Sequence, residues 1–391
     1  MKKSRLIKNF TILVSLILLL VACSNDTNQD KANSDKKIGL VVSAAGRNDT
    51  GYNKNIADKL DELSKKEGFH LQIVDPSNGV DTAIETLAGD GYQIIFSMEY
   101  DFEALINGVG GSQAIAEQYP DTTFVIFNDN PNVTESGEVK HKNVISVLYN
   151  VNEPSYLAGY LYVLMNENQD RLFGEEYKLV STEKSRAAGF IGGTNSNGIL
   201  VYSYGFIQGI NDAAKEFDVK YDYYAKYDAG FSDPATGSAV AGTYFDNGAN
   251  VVFADAGTVG VGITSKAKEV NRLSVEVDAN LDDRDPGNII TSVLKLTDIP
   301  AENIVNEYLN GKISEMDNLQ TFGLESKATE ITDLSVISKH IKDSDTWKEI
   351  IDKVDAKRQS IINGDLGVVN AQAGEKLDDN LKTNVTVKWE N

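Results

Sequence analysis

Two charged residues, Asp278 and Lys295, each close an apolar run, "SVEVD" and "IITSVLK". A carboxylate accepts two O–H donors and an ammonium donates to the same oxygens, so such a pair suits a ligand rich in hydroxyls. The alternative is that the two merely pair with each other. Asp255 and Gly257 follow "VVFA", where a glycine allows backbone to approach a ligand and an aspartate offers an acceptor, unless both only shape a turn. Asn48, Asp49, Tyr52 and Asn53 follow "KIGLVVSA". Tyr52 is a stacking platform or a core aromatic, and Asn48 or Asp49 is a ligand contact or a helix cap. Met98, Glu99 and Tyr100 follow "QIIFS", and Asn128 and Asp129 follow "TFVIF".

What unites these residues is position. Each stands at the carboxyl end of a short continuous apolar run, and such runs alternate along the chain with stretches of helical spacing. "YNKNIADKLDELSKKEG" puts Ile56, Leu60 and Leu63 on one helical face before a terminating glycine, and "DTAIETLAGDG" and "DFEALINGVGGSQAIAEQYP" continue the rhythm. Runs without polar alternation are strands of a parallel sheet covered on both faces. A second cycle follows "NEPSYLAGYLYVLM", a helix leading out of the first lobe, with "AAGFIGGT", "VKYDYYAKY", "VVFAD", "RLSVEVDAN" and "NIITSVLKL" as strands. The expectation is an α/β chain of two doubly wound parallel-sheet lobes joined by a hinge: 37–150 plus about 297–320, and 151–296 plus about 321–391. Ligands of open parallel sheets sit beyond the carboxyl ends of the strands, so facing lobes would make a cleft from the residues above. The last stretch, "VVNAQAGEKLDDNLKTNVTVKWEN", reads only as edge strands and a tail.

The 391 residues include 41% hydrophobic residues, enough for two packed domains. At the start, Lys2, Lys3, Arg5 and Lys8 precede an apolar run from Phe10 to Ala22, and "LVAC" resembles the bacterial lipobox. Residues 1–22 are therefore expected to be an export signal, and Cys23 a lipidated anchor to the membrane. Residues 23–36 form a polar, flexible linker in this reading. Cys23 is the chain's one cysteine, which leaves none for a disulfide, a zinc cluster or a thiol nucleophile. A net charge of −21 disfavours nucleic acid as a partner. His70, His141 and His340 are dispersed, and no phosphate-loop, dinucleotide or nucleophile-elbow pattern occurs, so neither metal nor cofactor nor catalysis finds a nominee.

Four blocks, "KIGLVVSAAGRNDTGYN", "FIGGTNSNGILVYSYGFIQGI", "AGFSDPATGSAVAGTYFDNGANVVFADAGTVGVG" and "VDANLDDRDPGNIITSVLK", resemble in order those of the basic membrane protein family. Its members are substrate-binding lipoproteins of ABC transporters, similar to the purine nucleoside receptor lipoproteins, on a type I periplasmic-binding-protein fold. The resemblance runs from about Lys37 to Leu324. It implies a monomeric extracytoplasmic protein that binds a nucleoside between its lobes and hands it to a membrane permease. It implies Tyr52 as the base platform, with Asn53 as a base contact or a structural asparagine, and Asp278 and Lys295 as the ribose grip. Asn128, with Asp129 beside it, stands where the family has a carboxylate for the base edge, and Asp255 where some members place a second stacking aromatic. These departures keep open a surface receptor or adhesin on the same fold; a secreted nucleoside- or sugar-processing enzyme is the other alternative, disfavoured by the lack of a metal, histidine or nucleophile constellation.

Overall fold

The computed structural model describes residues 33–389. The expected export signal and Cys23 lie outside them. Five of the six strands of the first sheet come first, with two helices: β1 (Lys37–Val41), α1 (Tyr52–Glu67), β2 (His70–Val74), α2 (Val80–Gly89), β3 (Ile94–Ser97), β4 (Thr123–Phe127) and β5 (Val144–Tyr149). The chain then enters α3 (Asn152–Glu167), β6 (Ala187–Gly192), α4 (Asn197–Glu216), β7 (Tyr221–Lys226), α5 (Pro234–Asp246), β8 (Val251–Asp255), α6 (Thr258–Glu269), β9 (Leu273–Asp278) and β10 (Ile289–Lys295). It returns through α7 (Asp298–Leu309) to β11 (Leu319–Phe322). It ends with β12 (Thr329–Ile331), α8 (Ser344–Ile362) and β13 (Val385–Trp389).

The first sheet has the order β11-β5-β4-β3-β1-β2 and is parallel throughout. The second runs β12-β10-β9-β8-β6-β7-β13, parallel except for β12 against β10. Both sheets thus share a doubly wound core in which the second strand lies outside the first and the later strands extend the other way. The order reverses between β1 and β3 in one sheet and between β6 and β8 in the other, and each reversal opens a crevice at the strands' carboxyl ends. Register sets those ends level: Val41 pairs with Ser97, Gly192 with Asp255, and Leu294 with Asp278.

The expected elements form for the expected reasons. α1 buries Tyr52, Asn53, Ile56, Ala57, Leu60 and Leu63 on one face and ends at Gly68, whose φ of 80° only glycine adopts without strain. α3 and α4 pack backbone to backbone: a Cβ at Gly209 would stand 2.1 Å from Tyr156 O, and one at Gly205 2.3 Å from Asn152 O. Apolar clusters cover both faces of each sheet.

Two local expectations change. "DFEALINGVGGSQAIAEQYP" is not one helix but two single turns, Glu103–Ile106 and Ile115–Gln118. Gly108, Gly110 and Gly111 between them take positive φ, which ends helical winding. The linker is docked at its far end, because Asn33 donates Nδ2 to Glu67 O at 2.8 Å and Lys36 reaches Leu309 O at 3.3 Å. β11 adds itself beside β5, so the chain leaves the first sheet after Phe322. β13 is the edge strand anticipated from the final stretch.

Candidate functional site

The loop after β1 is organised by Asp49. Its Oδ1 accepts from the backbone of Gly51 (3.0 Å) and Lys54 (3.1 Å), and its Oδ2 from the backbone of Asn53 (2.9 Å) and from Asn53 Nδ2 (3.0 Å). From two residues before the N-cap Gly51, Asp49 thus satisfies donors that the first turn of α1 leaves free. Asn53 is fully buried and locks the same loop, accepting from Ser43 N (2.9 Å) and donating to Ser43 Oγ (2.8 Å). Both side chains build the loop. Asn48 is exposed at its tip, and Asp129 is exposed with its carboxylate on Asn130 N.

Tyr52 opens α1 and is buried. Its hydroxyl donates to Met98 O (3.2 Å) and accepts from Asn128 Nδ2 (2.6 Å), which also reaches the hydroxyl of Tyr100 (3.2 Å). The rings of Tyr52 and Tyr100 lie 6.4 Å apart and within 19° of parallel. Tyr100 is 56% exposed, although Asn128 Nδ2 holds its hydroxyl. Asn128 follows β4 directly, with φ 66°. Asp278, at the end of β9, has φ 68°, so two carboxyl-end residues take a left-handed backbone that costs non-glycine residues energy.

The second sheet brings charge to the same place. Lys295 is 7% exposed, and its ammonium stands 4.9 Å from the Tyr52 ring centroid, 5.6 Å from Tyr202 and 5.9 Å from Tyr149. A cation over aromatic faces is attracted by their quadrupoles. The same ammonium lies 3.9 Å from Asp278 Oδ1, a loose contact that leaves hydrogen-bonding capacity on both partners. Burial raises the Asp278 carboxyl, Lys295 opposes that, and Asp49 reinforces it. Asp255 ends β8 at the reversal of strand order and is buried. Burial lifts its carboxyl well above the usual range, the neighbouring Asp278 charge adds to this, and Lys295 counteracts. Gly257 has φ 52°, and a Cβ there would stand 3.3 Å from Phe231 O. The Phe231 ring covers Gly193, where a Cβ would fall 2.2 Å from it.

The two sheets meet at this point. A Cβ on Gly51, before α1, would lie 2.7 Å from Ala279 Cβ, just after β9. Thr297 donates Oγ1 to Tyr52 O at 2.9 Å, tying the return crossing to α1. Asn128 Oδ1, Tyr149 Oη, Asp255 Oδ2 and Gln372 Oε1 are buried without hydrogen-bond partners. Buried polar atoms are ordinarily satisfied, so each of these four keeps hydrogen-bonding capacity for a further partner.

The structure therefore gathers Tyr52, Met98, Asn128, Asp278 and Lys295 into one linked set of contacts, with Asp255 within reach of their charges and Gly257 beside it. Asp49 and Asn53 serve as framework, and Asn48 and Asp129 lie outside the set. Four further residues contribute that sequence reading did not nominate: Tyr149, Tyr202, Phe231 and Gln372. Tyr149 ends β5 and could have been found by the strand-end rule. The other three stand on a helix, a loop and a distant segment that no local pattern marks. Among the described residues, no group of three or more His, Cys, Asp or Glu side chains could hold a metal ion. None of their helices is long and apolar enough to cross a membrane.

Comparison with known proteins agrees with this architecture. Residues 36–372 match the family described as PnrA-like ABC transporter substrate-binding proteins. The nucleoside-binding protein BmpA of an ABC transporter from Lactococcus lactis is 24% identical over 381 residues, spanning 91% of this chain and 98% of that protein. Basic membrane protein D of Borreliella burgdorferi is 22% identical, over 89% of this chain and 92% of its own length. Among solved structures, a solute-binding protein of an ABC transporter system from Aeropyrum pernix superimposes with a TM-score of 0.69 at 18% identity, covering 86% of this chain and 93% of that one. The fold is that of the type I periplasmic binding proteins. With a family match across nearly all of the described residues, the chain belongs to the PnrA-like substrate-binding proteins of ABC transporters.

Proposed function

We propose that this protein binds a nucleoside, a purine nucleoside in particular, between its two lobes and delivers it intact to a membrane permease. The observation that carries this reading is the convergence on one point of a buried aromatic from the first lobe and an ammonium–carboxylate pair from the second. Lys295 lies over Tyr52 and beside Asp278. A nucleoside needs both: a π-face for its base, worth about 1–3 kcal/mol by analogy with base stacking in nucleic-acid complexes, and charged acceptors and donors for its sugar hydroxyls.

The lobes in this reading are residues 37–150 with the return segment ending at β11, and residues 151–296 with the remainder. Closure about the crossings assembles the site. Contacts across the cleft would bias the closed state, because a ligand shifts such an equilibrium by its differential affinity. Cys23 carries the lipid that holds the protein outside the cell membrane, and the protein works as a monomer without catalysis. The Lactococcus lactis relative, named as nucleoside-binding, supports the ligand class.

Calorimetric titration of the full chain with adenosine, guanosine, inosine, uridine and ribose tests the reading. Mass spectrometry of the same mixtures reports the fate of the ligand. Saturable binding of an intact nucleoside is expected. Release of free base would show turnover and favour an enzyme, and silence across the panel would favour a receptor that does not use this cleft for nucleosides.

A further inference from the structure

The segment after α8 joins the site through a chain of side-chain contacts. Gln208 on α4 donates to Gly367 O (2.9 Å) and accepts from Val369 N (2.9 Å), and Asn152 donates to Val368 O (2.8 Å). Asn370 then caps a single 3-10 turn, Ala371–Ala373, accepting from Gln372 N at 3.0 Å. The turn aims Gln372 at the end of β4, where its Nε2 donates to Asn128 O at 3.1 Å.

That bond fixes the orientation of the Gln372 amide. A carbonyl oxygen only accepts, so the nitrogen must face Asn128 and Oε1 must face away, where it is buried and unpartnered. The Asn128 amide is fixed by similar logic. Tyr52 spends its one hydroxyl hydrogen on Met98 O and can only accept from Asn128, so Nδ2 points at the tyrosine. Asn128 Oδ1 is left buried and unpartnered as well. Two side-chain oxygens, linked through the backbone carbonyl of Asn128, are thus both acceptors without a partner. A carboxylate at position 128 would have offered tyrosine only acceptors; asparagine anchors to the tyrosine and presents a single neutral oxygen.

We propose that Gln372 is a specificity-determining residue of the ligand site. With Asn128 it forms an all-acceptor edge that selects a nucleobase presenting two adjacent N–H donors, the guanine edge. Hypoxanthine offers one N–H there, and adenine sets its amino group beside a ring acceptor that would face an oxygen. The assignment rests on the nucleoside reading and adds to it a residue from the carboxy-terminal segment and an order of preference. A missing partner for a neutral hydrogen bond weakens binding by roughly three- to tenfold.

The full-length protein titrated with guanosine, inosine and adenosine should bind guanosine roughly three- to tenfold more tightly than inosine, with adenosine weaker still. Gln372→Leu should erase the guanosine–inosine gap by weakening guanosine alone, with thermal unfolding of the variant reporting its fold. The ligand series in the unaltered protein tests the edge even if that variant folds poorly. A gap that survives Gln372→Leu, or adenosine binding as tightly as guanosine, would overturn the assignment while leaving nucleoside binding intact. No response to any of the three would remove the underlying reading and this assignment with it.

Discussion

Lys295 holds its ammonium 4.9 Å from the centre of the Tyr52 ring, so a cation at the end of a strand in the second sheet rests on an aromatic that begins the first helix of the other lobe. The residues are far apart in sequence and come from different sheets, so only the tertiary fold joins them. The contact also places the ammonium between the carboxylate of Asp278 and the aromatic faces of Tyr149 and Tyr202. Removing it exposes Asp278 and Asp255 to each other without a counter-charge.

Lys295→Met should therefore weaken nucleoside binding by roughly 10- to 100-fold, the range for a hydrogen bond to a charged group of about 1.5–3 kcal/mol. Calorimetry measures this directly. Binding within twofold of the unaltered protein would mean that the ammonium only screens the carboxylates and does not touch ligand.

Tyr52 supports two separable effects. Tyr52→Ala removes the platform and should cost about 1–3 kcal/mol of binding free energy, as base–aromatic stacking does. Tyr52→Phe keeps the ring but deletes the hydroxyl between Met98 O and Asn128 Nδ2, which should lower stability by about 1 kcal/mol in chemical denaturation. Equal binding losses in the two variants would place the contribution in the hydroxyl rather than the ring face.

Asp255 gives the pH dependence of stability a definite sign. Burial raises its carboxyl above the ordinary value of 3.8, so between that value and the raised one the folded chain binds more protons than the unfolded chain. Its contribution therefore falls as pH climbs through that window and stays unfavourable above it. Asp255→Asn should melt at a higher temperature than the unaltered protein at about pH 7, and the difference should shrink as pH falls through that window and be gone below the ordinary carboxyl value. A difference that does not change with pH would assign the effect to packing.

Much of this candidate site was legible in the sequence because its residues obey one rule. Tyr52, Asn128, Asp278 and Lys295 each end, or closely follow, an apolar run, and parallel strands carry their ligands at that end. The rule says which end of a strand matters but not which polar groups the loop spends on itself. Asp49 and Asn53 have suitable chemistry yet saturate it on Gly51, Lys54, Ser43 and each other. Tyr202 reaches the site from α4, and Gln372 arrives after a turn that follows the longest carboxy-terminal helix. Their placement depends on how α3, α4 and the last segment pack, set partly by the contacts at Gly205 and Gly209, and no local periodicity encodes that. The paired single turns between β3 and β4 were obscured for the opposite reason: apolar spacing there suits a helix, and the glycines override it.

Gly51 tests whether closure and binding are one event. Its φ of 168° lies outside the left-handed region that favours glycine. The obstacle lies across the cleft, where a Cβ would stand 2.7 Å from Ala279 Cβ and 3.2 Å from Ala279 N. Gly51→Val should leave each lobe folded and hold the two apart. The melting temperature without ligand should then stay close to that of the unaltered protein, while nucleoside affinity falls at least roughly tenfold through loss of the closed population. Solution scattering should show the compaction on adding nucleoside to the unaltered protein and its absence in the variant. Full compaction and unchanged affinity in Gly51→Val would mean that the ends of α1 and β9 separate freely, and that the contact between them plays no part in capture.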